Sequence, residues 1–183
     1  MAESLSPAME ALYSQGREAA EALLPADSEL NVFEAAAFGR LERLAELLSA
    51  RPELVNAFSP DGFTPLHLAC FSGGPETTRL LGERGADLDA LARAELVRVR
   101  PLGTAAFSRD RESAAVLLEA GADSNGRGEG DFTPLHTAAQ NGDVEFVRLL
   151  LRYGADARAA ASDGRTPADV AKEAGHEECA ALL

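Results

Sequence analysis

Lysine is almost missing from this chain: of 17 basic residues only Lys172 is not arginine, and 30 acids leave a net charge of −13. That sign repels a phosphate backbone, which excludes a general nucleic-acid binder. Tryptophan is absent, and cysteine is limited to Cys70 and Cys179. Both lie at helical positions expected to face the core, so two reduced thiols are expected rather than a disulfide. No Cys/His cluster has the spacing of a zinc site, so no metal is expected. No apolar run reaches membrane-spanning length, and Met1-Ala2-Glu3-Ser4 has neither the positive segment nor the apolar core of a secretory leader. The expectation is a cytoplasmic monomer with no membrane partner. Signatures of chemistry are missing too. Gly126-Arg127-Gly128-Glu129-Gly130 is glycine-rich but lacks the Lys-Ser/Thr pair of a phosphate loop, and no nucleophile elbow occurs. Catalytic residues and cofactors are therefore expected to be absent, and the chain is read as a non-enzyme.

What the chain does have is repetition. Phe63-Thr64-Pro65-Leu66-His67-Leu68-Ala69 returns as Phe132-Thr133-Pro134-Leu135-His136-Thr137-Ala138. Pro65, Pro101 and Pro134 step by 36 and 33 residues, and so do Gly85, Gly121 and Gly154, each of which opens a Gly-Ala-Asp triplet. A period near 33 with Thr-Pro-Leu-His at its start resembles the ankyrin repeat, and the whole style is similar to small bacterial ankyrin-repeat proteins. The resemblance implies an all-α solenoid of stacked helix-turn-helix units with β-hairpin fingers. It spans residues 1–183 as a single domain: a helical cap (1–29), a degenerate repeat (30–58), a repeat (59–90), a repeat with an extended hairpin (91–126), a repeat (127–159) and a capping repeat (160–183).

The motif residues have local reasons. Thr64 and Thr133 stand as N-caps, and the proline after each occupies the first helical position, where its missing N–H costs nothing. Glycine after the second helix supplies a left-handed terminator. Helices this short are marginal alone, so stability must come from stacking. His67 and His136 belong to the motif and are expected to hydrogen-bond between neighbouring loops. Asp87, Asp123 and Asp156 are explained by turn formation. The copy beginning at Arg100-Pro101-Leu102-Gly103 lacks both the capping threonine and the histidine, which marks it as the weakest joint.

The resemblance also implies where a partner would bind. In such a stack the hairpin tips and the last positions of each first helix line one concave surface. Those positions hold Phe38, Phe63, Phe71, Ser72, Val99, Phe107, Ser108, Phe132, Gln140 and Asn141. Five of the eight phenylalanines fall among them, and aromatic side chains are common interface anchors. Some of these rings are expected to pack between helices instead. The finger 90–100 carries three extra residues and places Arg93 and Arg98 near Val97 and Val99, alternating as a strand would. The expected function is a protein-protein interaction module, adaptor or inhibitor, for an unknown protein partner. The alternative is a ligand-responsive module holding a small apolar or anionic molecule between the phenylalanines and the arginine finger.

Overall fold

The computed structural model describes residues 4–94 and 97–183. Twelve α-helices appear among them. The N-terminal pair is α1 (Pro7–Ser14) and α2 (Arg17–Glu21). Five further pairs follow: α3 (Val32–Ala37) with α4 (Leu41–Ala50), α5 (Pro65–Leu68) with α6 (Pro75–Glu83), α7 (Pro101–Ser108) with α8 (Arg111–Glu119), α9 (Pro134–Asn141) with α10 (Val144–Arg152), and α11 (Pro167–Glu173) with α12 (Glu177–Leu182). The odd-numbered helices from α3 onward pack in one row and the even-numbered helices from α4 in a second, so the stack is an all-α repeat solenoid two layers deep. Its buried apolar side chains form one contiguous cluster running from Ala8 to Cys179.

Several helices start at a side-chain cap. The Thr64 hydroxyl accepts the His67 N–H at 3.4 Å. In the second strong copy, Thr133 Oγ1 lies 2.9 Å from His136 Nδ1, and the His136 N–H bonds the Thr133 carbonyl at 3.0 Å. Asn31 and Glu34 form a reciprocal capping box ahead of α3. Asp110 and Asp143 cap the second helices of their repeats, accepting from Ser113 and Phe146 at 2.9 and 3.0 Å. Arg100 contributes no side-chain cap to α7, as its sequence suggests. Its guanidinium instead holds the carbonyls of Asp89 and Arg127, which staples three loops together. At Gly103 a β-carbon would stand 2.8 Å from Val99 Cγ2, so the histidine of the other copies has no room beside that valine.

The loops repeat as regularly as the helices. Asp87, Asp123 and Asp156 each accept the N–H two residues on, at 3.0, 2.9 and 2.8 Å, which is the turn geometry expected of them. Between repeats, Asn56, Asp89 and Asn125 accept the N–H groups of Asp87, Asp123 and Asp156 at 2.8, 3.0 and 2.7 Å.

The fingers differ from expectation. No strand occurs among the described residues. Each finger is a turn closed by a bond such as Ser59 N–H to Phe63 O at 2.8 Å, Ala92 N–H to Val99 O at 2.9 Å, or Gly128 N–H to Phe132 O at 2.8 Å. The strand-like alternation expected in the finger 90–100 is not realised at the described positions, and its tip at 95–96 lies outside them. Successive fingers join by bonds from Arg93 N–H to Gly62 O, Glu129 N–H to Arg98 O, and Ser162 N–H to Gly130 O, at 2.8, 2.6 and 2.9 Å. The close approach demands glycine at 62, where φ is +89° and a β-carbon would lie 2.4 Å from the Ala94 nitrogen. A second departure lies in the repeat at Pro65: after Leu68 the helix widens into a π turn over Ala69–Gly73, closed by Gly74 N–H to Ala69 O at 2.9 Å.

Candidate functional site

The pairs of residues ending each first helix split by position. At the first position, Phe71 is half-buried, Phe107 is 67 % exposed and Gln140 is exposed, so all three reach the concave face. At the second position the side chains tie repeat to repeat. Ser108 Oγ donates to the Cys70 carbonyl at 2.7 Å, and Asn141 Nδ2 donates to the Ala106 carbonyl at 2.9 Å. Ser72 accepts the Arg17 guanidinium on its carbonyl and on its hydroxyl, the latter at 3.1 Å. Phe38, expected at the surface, is 1 % exposed and belongs to the core. The physical reason is that the N-terminal pair covers it, with the Arg17 guanidinium 5.8 Å from its ring and bonded to its carbonyl at 3.0 Å.

Phe63 and Phe132, just ahead of the capping threonines, are half-buried and lie against the motif histidines, with ring centroids 5.8 Å from His67 and 4.9 Å from His136. Together with Phe71 and Phe107 they line a concave groove of about 1010 Å³. Pro134 and Thr137 continue its floor, and Leu5 and Tyr13 of the N-terminal segment line it as well. Ala94, Val97, Arg98 and Val99 bring the long finger to its edge. The Arg93 guanidinium carbon stands over the Phe58 ring, 3.8 Å from its centroid, while the Arg98 side chain is exposed. The groove therefore assembles Phe63, Phe71, Phe107, Phe132, Arg93, Arg98, Val99 and Gln140 of the expected residues, and leaves Phe38, Ser72, Ser108 and Asn141 to structure.

The histidines behind the groove are each held in one tautomer by their hydrogen bonds. His67 Nδ1 accepts the Thr64 N–H at 3.3 Å, so Nε2 carries the proton and donates it to the Val99 carbonyl at 3.0 Å. His136 repeats this arrangement with Thr133 at 3.1 Å and Arg165 at 3.1 Å. Burial lowers the His67 pKa to about 4 and also lowers that of His136, so both rings are neutral near pH 7. They act as struts between fingers, which is the loop-to-loop role the motif implies. Burial pushes the Cys70 thiol up to about 12 and raises Cys179 as well, so neither is an activated nucleophile.

Sequence reasoning missed the part played by the N-terminal pair. Tyr13 packs against Phe71 in a tilted contact, with ring centroids 5.7 Å apart. Its phenol is held above its ordinary value by burial and then by the adjacent Asp61 carboxylate. The apolar spacing of Ala8, Met9, Ala11 and Leu12 announces a helix that buries one face, but nothing local says that its Tyr13 reaches Phe71 of the second repeat.

No helix among the described residues is long and apolar enough to cross a membrane. The family model for ankyrin repeats in three copies matches residues 32–128 and 102–183, which is most of the chain. A protein of Oryza sativa subsp. japonica named as the probable E3 ubiquitin-protein ligase XBOS31 is 35 % identical over 96 residues. That alignment covers 52 % of this chain but only 21 % of the Oryza protein, so the chain spans about a fifth of the relative's length.

Proposed function

The chain belongs to the ankyrin-repeat family, and on that premise we propose that it is a non-enzymatic protein-interaction module, an adaptor or inhibitor, that holds its partner in the concave groove. The single observation that carries this reading is Phe107, a large apolar ring 67 % exposed in a groove it lines with Phe63, Phe71 and Phe132. Exposed apolar patches of that kind mark contact sites, and a rigid stack loses little ordering entropy on binding. The net charge of −13 directs the reading toward a protein rather than a nucleic acid. The module works as a cytoplasmic monomer with residues 1–183 as one unit. The ligase function in the Oryza protein's name is not carried over, because the alignment covers only 21 % of that protein.

Affinity capture from a lysate of the source cell, with wild type and Phe107→Glu side by side, tests the reading. Proteins held by the wild type and lost by a folded Phe107→Glu variant are the expected result; identical capture by both sinks it. The ligand-responsive alternative draws on the size of the groove, which is at the upper end of the range for small-molecule sites. A rise in melting temperature with a small apolar or anionic compound, abolished by Phe107→Glu and with no protein captured, would select that alternative.

A further inference from the structure

The Phe row is already half occupied by the chain itself. Tyr13 covers Phe71, and Arg17 closes on the carbonyls of Ala37, Phe38 and Ser72 at the ends of the first two repeats' inner helices. Phe107 is the same position one repeat on, yet no ring stacks on it among the described residues. The first half of the concave face thus shows what the second half accepts: an aromatic side chain laid on a phenylalanine.

Charge supplies the second requirement. Among the described residues, the charged side chains lining the groove are Asp61, Arg93, Arg98, Arg100 and Glu129, three arginines against two acids on a chain whose net charge is −13. Asp61 accepts the Ser59 hydroxyl on one carboxylate oxygen while the other is buried with no hydrogen-bond partner among the described residues, and Arg100 is bound to two backbone carbonyls. Arg93 and Arg98 are exposed, and neither pairs with a carboxylate among the described residues. A basic segment would meet like charge there, and a purely apolar one would leave both guanidinium groups without a counter-charge.

Shape supplies the third. Leu5 and Tyr13 line the groove from the N-terminal segment, and Val97 and Arg98 line it from the long finger, so two elements far apart in the chain border it. A single segment enters such a groove more readily than a broad folded face.

We infer that the groove receives a linear peptide segment of the partner, with an aromatic side chain stacked on Phe107 and neighbouring carboxylates meeting Arg93 and Arg98. The inference rests on the protein-binding reading and names the chemistry of its partner.

The test is to pan a random-peptide display library on the full chain. A peptide of the enriched consensus is then synthesised and titrated by fluorescence anisotropy against wild type, Phe107→Ala and Arg93→Gln/Arg98→Gln. The expected consensus has one aromatic residue with acids beside it. Phe107→Ala is expected to weaken binding by roughly tenfold or more, as for an interface anchor. The double arginine variant is expected to weaken it several-fold at about 0.05 M salt and much less at about 0.5 M. A consensus without acids, a purely apolar one, binding untouched by Phe107→Ala, or no enrichment overturns the inference. If peptides of another chemistry are enriched and Phe107→Ala still abolishes them, the aromatic-acidic assignment falls while the protein-binding reading stands. If wild type and Phe107→Glu also capture the same lysate proteins, both fall.

Discussion

Tyr13 of α1 lies on Phe71 at the end of the next repeat but one, with ring centroids 5.7 Å apart and planes tilted by 58°. A tilted pair of this kind contributes about 1 kcal/mol beyond its buried area. The contact makes the N-terminal pair part of the concave face as well as a cover for the first repeat. Tyr13→Ala is therefore expected to raise amide exchange across 7–21, with α9 to α12 unchanged, because repeats are coupled mainly to their neighbours. Unchanged exchange in 7–21 would mean that α1 is held by its buried Ala8, Met9, Ala11 and Leu12 alone.

Phe38 and Phe107 should respond to truncation in opposite ways. Phe38 is fully enclosed, so Phe38→Ala leaves a cavity and is expected to lower unfolding free energy by about 3–5 kcal/mol. Phe107→Ala removes an exposed ring and is expected to change stability by no more than about 0.5 kcal/mol. Urea denaturation of both variants decides the matter; equal losses would contradict the division of the Phe row into core and surface.

The repeat frame was legible because its signals are local. Thr-Pro at 64–65 and 133–134 fixes two helix starts, and the Gly-Ala-Asp triplets fix the returns. The site was legible only in part. Ala37-Phe38 and Phe71-Ser72 occupy equivalent positions, yet Ala37 and Phe38 are both buried while Phe71 lines the groove, and Arg17, which bonds the Phe38 carbonyl, arrives from the N-terminal pair. A non-local contact of that sort leaves no mark on sequence periodicity. The fingers were overread because the hairpin bonds they form, such as Ala92 N–H to Val99 O, do not extend into a strand ladder at the described positions.

Gly62 and Gly85 both have φ near +90°, but only Gly62 faces a neighbouring backbone. Gly85→Ala is expected to cost about 1–2 kcal/mol from the left-handed conformation alone. Gly62→Ala must in addition push Ala94 away, because the new β-carbon would sit 2.4 Å from its nitrogen. Thermal melts of the two variants are expected to place Gly62→Ala clearly below Gly85→Ala. A reversed order would show that the finger yields freely.

Acid should loosen the finger struts. Since the folded-state pKa of His67 is about 4, below the ordinary 6.5, the unfolded chain binds this proton first as pH falls. Stability is therefore expected to be complete above about pH 6.5 and to decline toward pH 4, by roughly 3 kcal/mol from His67. His136, shifted in the same direction, adds to the decline. His67→Gln is expected to be less stable at pH 7 and to have a shallower pH dependence between 6.5 and 4. Denaturant titrations across that range check the sign; stability rising on acidification through the same window would refute it.

The central claim is that a protein partner lies against Phe107 in the concave groove, and photo-crosslinking in the source cell tests it most directly. A benzoylphenylalanine placed at position 107 is compared with one at Arg148, which is exposed on α10 in the helix row opposite that of Phe107. The expected result is a discrete protein adduct from position 107 and none of that size from position 148. The same adduct from both positions, or adducts from position 148 alone, would contradict it.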